Sequence, residues 1–542
     1  MEEDAYAAAV SEEWWEGRVC FRCFLFPSSS SKSGRHRSKC SRCGQAWYCG
    51  SDCQATDWNS GQHKQECRVL RALSSSCANG DNNSEGGKGL RRVIQDRALR
   101  GIARVISRHA LDKTSAIDQY AASAVNWPDG MHVRGLMDLC SHLSVTVGEL
   151  QMEHDIQAAW RCWLAYFAPH SKLFASISLQ DFSWFVGMWL TNNIAIERAS
   201  ALEDFQVLGV GLYLQASRFD HTCGQPDFVR YFKGSRLCLK QQPPCSHLAQ
   251  VTGSSVDQCR INYLPHCALT STANRRQFLM QNYLFLCRCA VCTDEANDAL
   301  KLGAVALSYG SCRKCQEPLV AKVQDGAVYL STATVEDVLK RSSSSLYAAD
   351  LTCAKCGTVC SQLPPGELSA LVSAFHSLNE ALQSPDSHSN TSIDNAKRLS
   401  STLCEAYSHL HPVRNATMVY AGIKLLEIYY RLAVNNSDSS KECLKAALME
   451  NGQLLEKIVA TMAAQPVKEP VYAISFARYA KLLTVLMSAD AEKCEHAMVE
   501  TGEQSPVYWL EKAKNLWSDI SNSDCDVVKE IDAIIGTIKD RR

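Results

Sequence analysis

The chain has 542 residues, more than one hydrophobic core serves, so about three or four modules are expected. Lys+Arg 56 stand against Asp+Glu 57, which excludes a chain-wide basic field for gripping nucleic acid, and no direct nucleic-acid partner is expected. The 27 cysteines are too many for chance in a chain of this size, and ten of them fall in C-x2-C pairs, the spacing of metal ligands rather than of a secreted disulfide framework.

The first residues, MEEDAYAAAVSEEWW, are acidic where a secretory signal needs positive charge. No run of about 18 apolar residues is present; Phe182 to Ile196 comes closest and is interrupted by Asn192 and Asn193. A soluble intracellular protein without a membrane partner is therefore expected, cytoplasmic and/or nuclear. Residues 20–67 hold a Cys/His cluster with little hydrophobic periodicity, and the polar segment Ser74 to Lys88 reads as linker. From Leu90 to about Ile196, apolar residues three and four apart predict helices. Between Gly209 and Tyr263, GVGLYL, DFVRYF and SRLCLK read as short strands among glycines and prolines. Beyond Pro365 the pattern is helical again, with ATMVYAGIKLLEIYYRLAV, KECLKAALMENGQLLEKIVATMAA and VYAISFARYAKLLTVLMSA each fitting a helix.

Cys20-x2-Cys23, Cys40-x2-Cys43, Cys49-x3-Cys53 and His63-x3-Cys67 supply eight ligand-type residues, enough for two closed tetrahedral zinc sites. A tight C-x2-C knuckle brings two thiolates to one ion, and so small and polar a segment takes its folding free energy from the metal. Cys312, Cys315, Cys353 and Cys356 form two further C-x2-C pairs around the strand-like VYLSTATV, the pattern of a zinc ribbon. Cysteines outside these clusters, such as Cys140 and Cys162, read as small buried hydrophobes. The basic loop Gly34 to Lys39 reads as a solvated insertion.

The order and spacing of the first cluster, with its WYC and HKQEC segments, resemble the MYND finger. That resemblance implies interleaved sites: Cys20, Cys23, Cys49 and Cys53 on one ion; Cys40, Cys43, His63 and Cys67 on the other. It also implies docking of peptides, proline-containing ones among them. GVGLYLQASRFDHTCGQPD at 209–227, INYLPHC at 261–267 and NRRQFLMQNYLFLCRCAVC at 274–292 resemble the SET segments of the SET-and-MYND protein-lysine methyltransferases. The implied fold is α+β and multidomain. A small β-rich SET core is split by the finger and a helical insertion, then followed by the ribbon-like segment and a C-terminal helical domain like tetratricopeptide repeats. The implied boundaries are a remnant strand at 1–19, finger 20–67, linker and helical insertion 68–190, SET core 191–273, post-SET zinc segment 274–297, ribbon 305–362 and helical domain 363–542.

The same resemblance assigns roles. Cys287, Cys289 and Cys292 take Cys223 as the fourth ligand of a third zinc ion, and the ribbon adds a fourth ion. Tyr263 and Tyr283 become the catalytic pair. Asn192, Asp220, His221 and Phe285 become contacts of the methyl donor S-adenosyl-L-methionine. The substrate is then a lysine-containing protein or peptide, histone or otherwise, and the chain a monomer.

Three departures qualify the activity. A Gly-x-Gly turn expected ahead of the finger is missing from its usual place; Gly87-Lys88-Gly89 copies its letters but follows the finger. Asp220 stands where the family has Asn, keeping an acceptor but losing the amide donor. CGQPD carries one extra residue relative to Cys-x-Pro-Asn. These leave two expectations: a methyltransferase impaired by a truncated N-terminus, or an inactive finger-and-helix adaptor.

Overall fold

The computed structural model describes residues 1–27 (except Glu16), 38–78, 96–112, 134–141, 150–242, 258–264, 272–293, 393–407, 416–435, 438–465, 469–487, 505–521 and 525–540, with short pieces at 124–125, 314–315, 319–321, 351–353, 356–360 and 377. Two hydrophobic cores organise them. The first gathers residues from Ala5 to Ile261; the second gathers the C-terminal helices and reaches back to Ala201.

Small sheets frame the first core. Ala7–Val10 pairs antiparallel with Gln206–Leu212, which pairs antiparallel with Asn193–Arg198. All four residues of Ala7–Val10 are buried, and three alanines let the helix Arg97–Asp112 lie close against the strand. That helix starts at an Asp96 cap, whose carboxylate accepts from Leu99 N–H at 2.8 Å. It buries Leu99, Ile102, Val105 and Ile106, spaced three and four apart. Gly101 is needed where it crosses the helix Leu179–Asn192, since a Cβ there would sit 2.1 Å from the Trp189 ring. A second sheet runs in the order Ala124–Val125, Glu2–Glu3, Arg236–Gln241, Phe228–Lys233. Asp220–His221 pairs parallel with Arg260–Ile261.

Seven helices form the second core among the described residues: Ile393–Tyr407, Ala416–Asn435, Asp438–Glu450, Gly452–Ala463, Pro470–Met487, Pro506–Ile520 and Asp526–Asp540. The loop after strand Asn193–Arg198 fastens them to the first core. Ala201 N–H donates to Glu530 at 3.0 Å, Arg478 donates to the Leu202 carbonyl at 2.8 Å, and Arg478 pairs with Asp204 at 3.1 Å. The strand Phe228–Lys233 lies between the bodies: Phe228 and Phe232 pack on the first core, Val229 on the second.

Several expectations change. The helical reading to Ile196 fails at Asn193, where the chain turns into a strand. Asn192 and Asn193 donate to the Met188 and Trp189 carbonyls at 2.8 and 2.7 Å, occupying acceptors the helix leaves at its end. The segment KECLKAALMENGQLLEKIVATMAA is two helices, broken where the Asn451 amide folds back on the Ala447 carbonyl just before Gly452. Cys140 is exposed and Cys162 half-buried, against the expectation of buried packing. At Cys140 it is the backbone that is engaged, its carbonyl accepting from Thr191 and Asn192. The strand in INYLPHC ends at Ile261, so Tyr263 follows it. Gly87–Gly89, VYLSTATV, Cys312 and most of the Gly34–Lys39 loop lie outside the described residues, as do the side chains of Cys353 and Cys360. No described helix is long and apolar enough to cross a membrane.

Candidate functional site

Among the described residues three quartets of ligand atoms assemble, each with all its atoms within 4.8 Å of one another: Cys20, Cys23, Cys49, Cys53; Cys40, Cys43, His63, Cys67; and Cys223, Cys287, Cys289, Cys292. Four zinc bonds of ~2.3 Å in a tetrahedron set sulfurs ~3.8 Å apart. Three separations match that figure, 3.7 Å for Cys23–Cys49, 3.8 Å for Cys40–Cys67 and 3.8 Å for Cys223–Cys287, while Cys49–Cys53 at 3.2 Å and Cys223–Cys292 at 3.4 Å are tighter.

The first two quartets share one local device. After each C-x2-C knuckle the chain enters the left-handed region, at Phe24 (φ 60) and Gly44 (φ 64), and that residue's N–H returns to the first cysteine's carbonyl at 3.0 and 2.8 Å. Phe24 bears the cost of a side chain there because its ring is buried. The quartets differ in depth: Cys40, Cys43, His63 and Cys67 are all buried, whereas Cys49 is exposed and Cys23 and Cys53 are half-buried.

Behind His63 lies a buried ion network that sequence reasoning missed. His63 Nε2 faces Cys43 at 3.8 Å while Nδ1 faces Glu66 at 3.5 Å, the arrangement that orients a metal-bound imidazole. Glu66 pairs with Arg100 and Arg104, each at 2.7 Å; Arg104 also grips Asp57 at 3.1 and 3.2 Å, and Tyr48 donates to Asp57 at 2.9 Å. Burial alone would raise the Glu66 carboxyl, but the Arg100 and Arg104 cations hold it well below the usual carboxylate range. The signals were present: Glu66 is three residues after His63, and Arg100 and Arg104 are four apart on the apolar face of one helix.

The third quartet and the aromatic candidates share one small cluster. Cys223, Cys287, Cys289 and Cys292 pack with Leu264 and Leu279, and Tyr263, Tyr283 and Phe285 lie against them. The Tyr263 and Tyr283 rings are 4.8 Å apart; Phe285 is 6.3 Å from Tyr263 and 6.1 Å from His221. Tyr283 ends the helix Thr272–Tyr283, and Leu284, with φ 58, reverses the chain before Phe285. Tyr263 donates to the Phe219 carbonyl at 2.5 Å. Its backbone N–H donates to His221 Nδ1 at 3.1 Å, which leaves the proton on Nε2, 2.9 Å from Cys223 Sγ. His221 thus ties the third quartet to Tyr263. Burial pushes the hydroxyls of Tyr263 and Tyr283 up and His221 down to about 4, so all three are neutral near pH 7. Hydrogen bonds from Cys223, Cys287 and then Arg275 pull the Cys292 thiol far down, as a metal ligand requires.

The cofactor candidates are not all brought together. His221 has both ring nitrogens engaged by its own chain, and the Asn192 amide donates to the Cys140 and Met188 carbonyls. Asp220 is exposed, yet its charge acts on Tyr263. A cleft opens beside Tyr283, lined by Leu190, Asn193, Gln281, Asn282, Tyr283 and Leu284. At the ribbon, Cys315 and Cys356 stand 3.6 Å apart.

Residues 20–67 match the family model of the MYND finger. The chain is 24% identical over 300 residues to N-lysine methyltransferase SMYD2-A of Danio rerio, covering 55% of each protein. It is 23% identical over 454 residues to N-lysine methyltransferase SMYD2-B of Xenopus laevis, 80% of this chain and 89% of that one. To Histone-lysine N-methyltransferase ASHR1 of Arabidopsis thaliana it is 24% identical over 256 residues, 47% of this chain and 44% of that protein. It thus spans about half the length of the first and third and nearly all of the second.

Proposed function

We propose that the chain belongs with the SET-and-MYND proteins and transfers a methyl group from S-adenosyl-L-methionine to lysine side chains of proteins, with a SET core at 191–273, a post-SET zinc segment at 274–297 and a repeat-like helical domain from 363 onward. The observation that carries this reading is the single cluster in which Cys223, Cys287, Cys289 and Cys292 pack against Tyr263 and Tyr283, whose rings lie 4.8 Å apart and tilted by 45°. The donor residues suit the cofactor: aromatic faces at Tyr263 and Phe285 attract a sulfonium cation, and the Asp220 carboxylate borders them. The cofactor would supply an electrophilic methyl group.

The chain's own residues do the rest. The half-buried rings of the two tyrosines and Phe285 form an aromatic wall that disfavours a protonated amine and fixes its approach. The Tyr263 oxygen, anchored on the Phe219 carbonyl through its proton, keeps lone pairs to accept from the amine. Zinc on the third quartet would close the segment after Tyr283 over the strands and exclude water. The test is methyl transfer from labelled S-adenosyl-L-methionine to a lysine peptide. Tyr263→Phe should lower the rate by about a hundredfold or more, and an undiminished rate would sink the assignment.

A second reading, a partner-binding adaptor without turnover, is favoured by one observation: the Asn192 amide and both His221 nitrogens are already engaged within the chain. Calorimetry separates the readings, since an adaptor shows no heat with S-adenosyl-L-methionine up to millimolar concentration.

A further inference from the structure

The ribbon motif takes no part in the cluster around Tyr263, and its described residues repeat the build of the finger. Four C-x2-C knuckles carry a basic residue just before the second cysteine: Arg22, Arg42, Lys314 and Lys355. A cation there offsets the charge that accumulates when several thiolates share one ion. After the knuckle Cys353-x2-Cys356 the chain enters the left-handed region at Gly357 (φ 68), as it does at Phe24 (φ 60) and Gly44 (φ 64) after the knuckles of the two finger quartets. A side chain at Gly357 would meet nothing within 4 Å, so glycine serves the turn there and not a lack of room.

The strands bring both motifs to one end of a small sheet. Leu319–Ala321 pairs antiparallel with Leu351–Cys353, Leu319 opposite Cys353, and Leu351–Cys353 pairs antiparallel with Val359–Cys360. Cys315 therefore precedes the first strand at the end where the second one stops, and Cys356 lies in the turn that leaves that same end. Their sulfurs, 41 residues apart along the chain, stand 3.6 Å apart and are not bonded to each other. That is far beyond the ~2.0 Å of a disulfide and close to the ~3.8 Å of two sulfurs on one tetrahedral zinc. The Thr358 hydroxyl, 3.1 Å from Cys356 Sγ, is placed to donate to a thiolate. A sheet of strands this short is marginal by itself, and a metal ion is a common staple of such small units.

We propose that Cys315 and Cys356 are ligands of a further zinc ion, separate from the three quartets and held by four thiolates. The sequence supplies the other two, Cys312 and Cys353, each three residues ahead of its partner. A site of four thiolates is closed, with no position left for water or substrate, so its zinc is structural and fastens the ribbon as a folded unit. The inference does not depend on the methyltransferase reading.

The experiment uses the full chain prepared with zinc. Native mass spectrometry compares the wild type with the double variant Cys315→Ser/Cys356→Ser and with Cys404→Ser, an exposed cysteine outside the motifs. The double variant should carry one zinc ion fewer than the wild type, and Cys404→Ser the same number. A double variant that fails to fold would lose ions elsewhere too, so the wild type supplies a second readout. In the zinc-loaded chain the half-buried Cys315 and Cys356 should be alkylated at least about tenfold more slowly than Cys404, and both should accelerate together when a chelator removes the metal. An unchanged ion count in a folded double variant would overturn the proposal. So would a Cys315–Cys356 disulfide in peptide mapping, labelling of the pair as fast as Cys404, or protection that chelation leaves unchanged.

Discussion

The two metal quartets of the N-terminal module are made from the same knuckle and placed in opposite surroundings. Cys40, Cys43, His63 and Cys67 are buried and backed by Glu66, Asp57, Arg100 and Arg104; Cys20, Cys23, Cys49 and Cys53 sit at the rim with Cys49 exposed. The inner quartet is therefore part of the main core. Its histidine contacts a carboxylate whose partners lie on the helix Arg97–Asp112, and that helix packs on the strand Ala7–Val10. The outer quartet is the more exposed of the two, although Cys20 is buried in the same core and the Cys23 carbonyl accepts from Ser235 N–H at 2.8 Å. One motif can thus supply both a keystone and a surface clasp, and what distinguishes them is the buried charge behind the ligand.

Glu66→Ala breaks the comparison most severely. It leaves Arg100 and Arg104 buried with only Asp57 to answer them, and about 3–5 kcal/mol of stability should be lost in denaturant titration. A loss below ~1 kcal/mol would show that the network is solvated in solution. Tyr48→Phe sharpens the same point at smaller scale. Removing the hydrogen bond to Asp57, which keeps both Arg104 contacts, should cost about 1 kcal/mol and leave the zinc content unchanged.

What could be read from the letters follows the same division. Metal ligands recur at fixed short intervals, so the cysteines of the two N-terminal quartets and Cys287, Cys289 and Cys292 were nameable in advance, whereas Cys223 came only from the family resemblance; GVGLYL, DFVRYF and SRLCLK were legible as strands. The ion network joins Tyr48, Asp57 and Glu66 to Arg100 and Arg104 across a chain segment of unrelated composition; local spacing marked Glu66 and the arginine pair separately, but nothing in the letters joins the one to the other. The end of the helix at Asn192 was hidden because IAIER continues the apolar run, although two successive asparagines able to cap carbonyls marked it. The left-handed Leu284, which lets Tyr283 and Phe285 both flank Tyr263, has no glycine or asparagine to announce it.

The most direct test of the account is native mass spectrometry of the folded chain during slow chelation. The account predicts at least three zinc ions at the outset, the first leaving without loss of folded structure and carrying the Cys49 site with it, as a Cys49→Ser variant lacking that early step would show. The inner ion should leave only as the protein unfolds. A folded chain that binds no zinc, or one that gives up all its metal in a single step while staying folded, would contradict it.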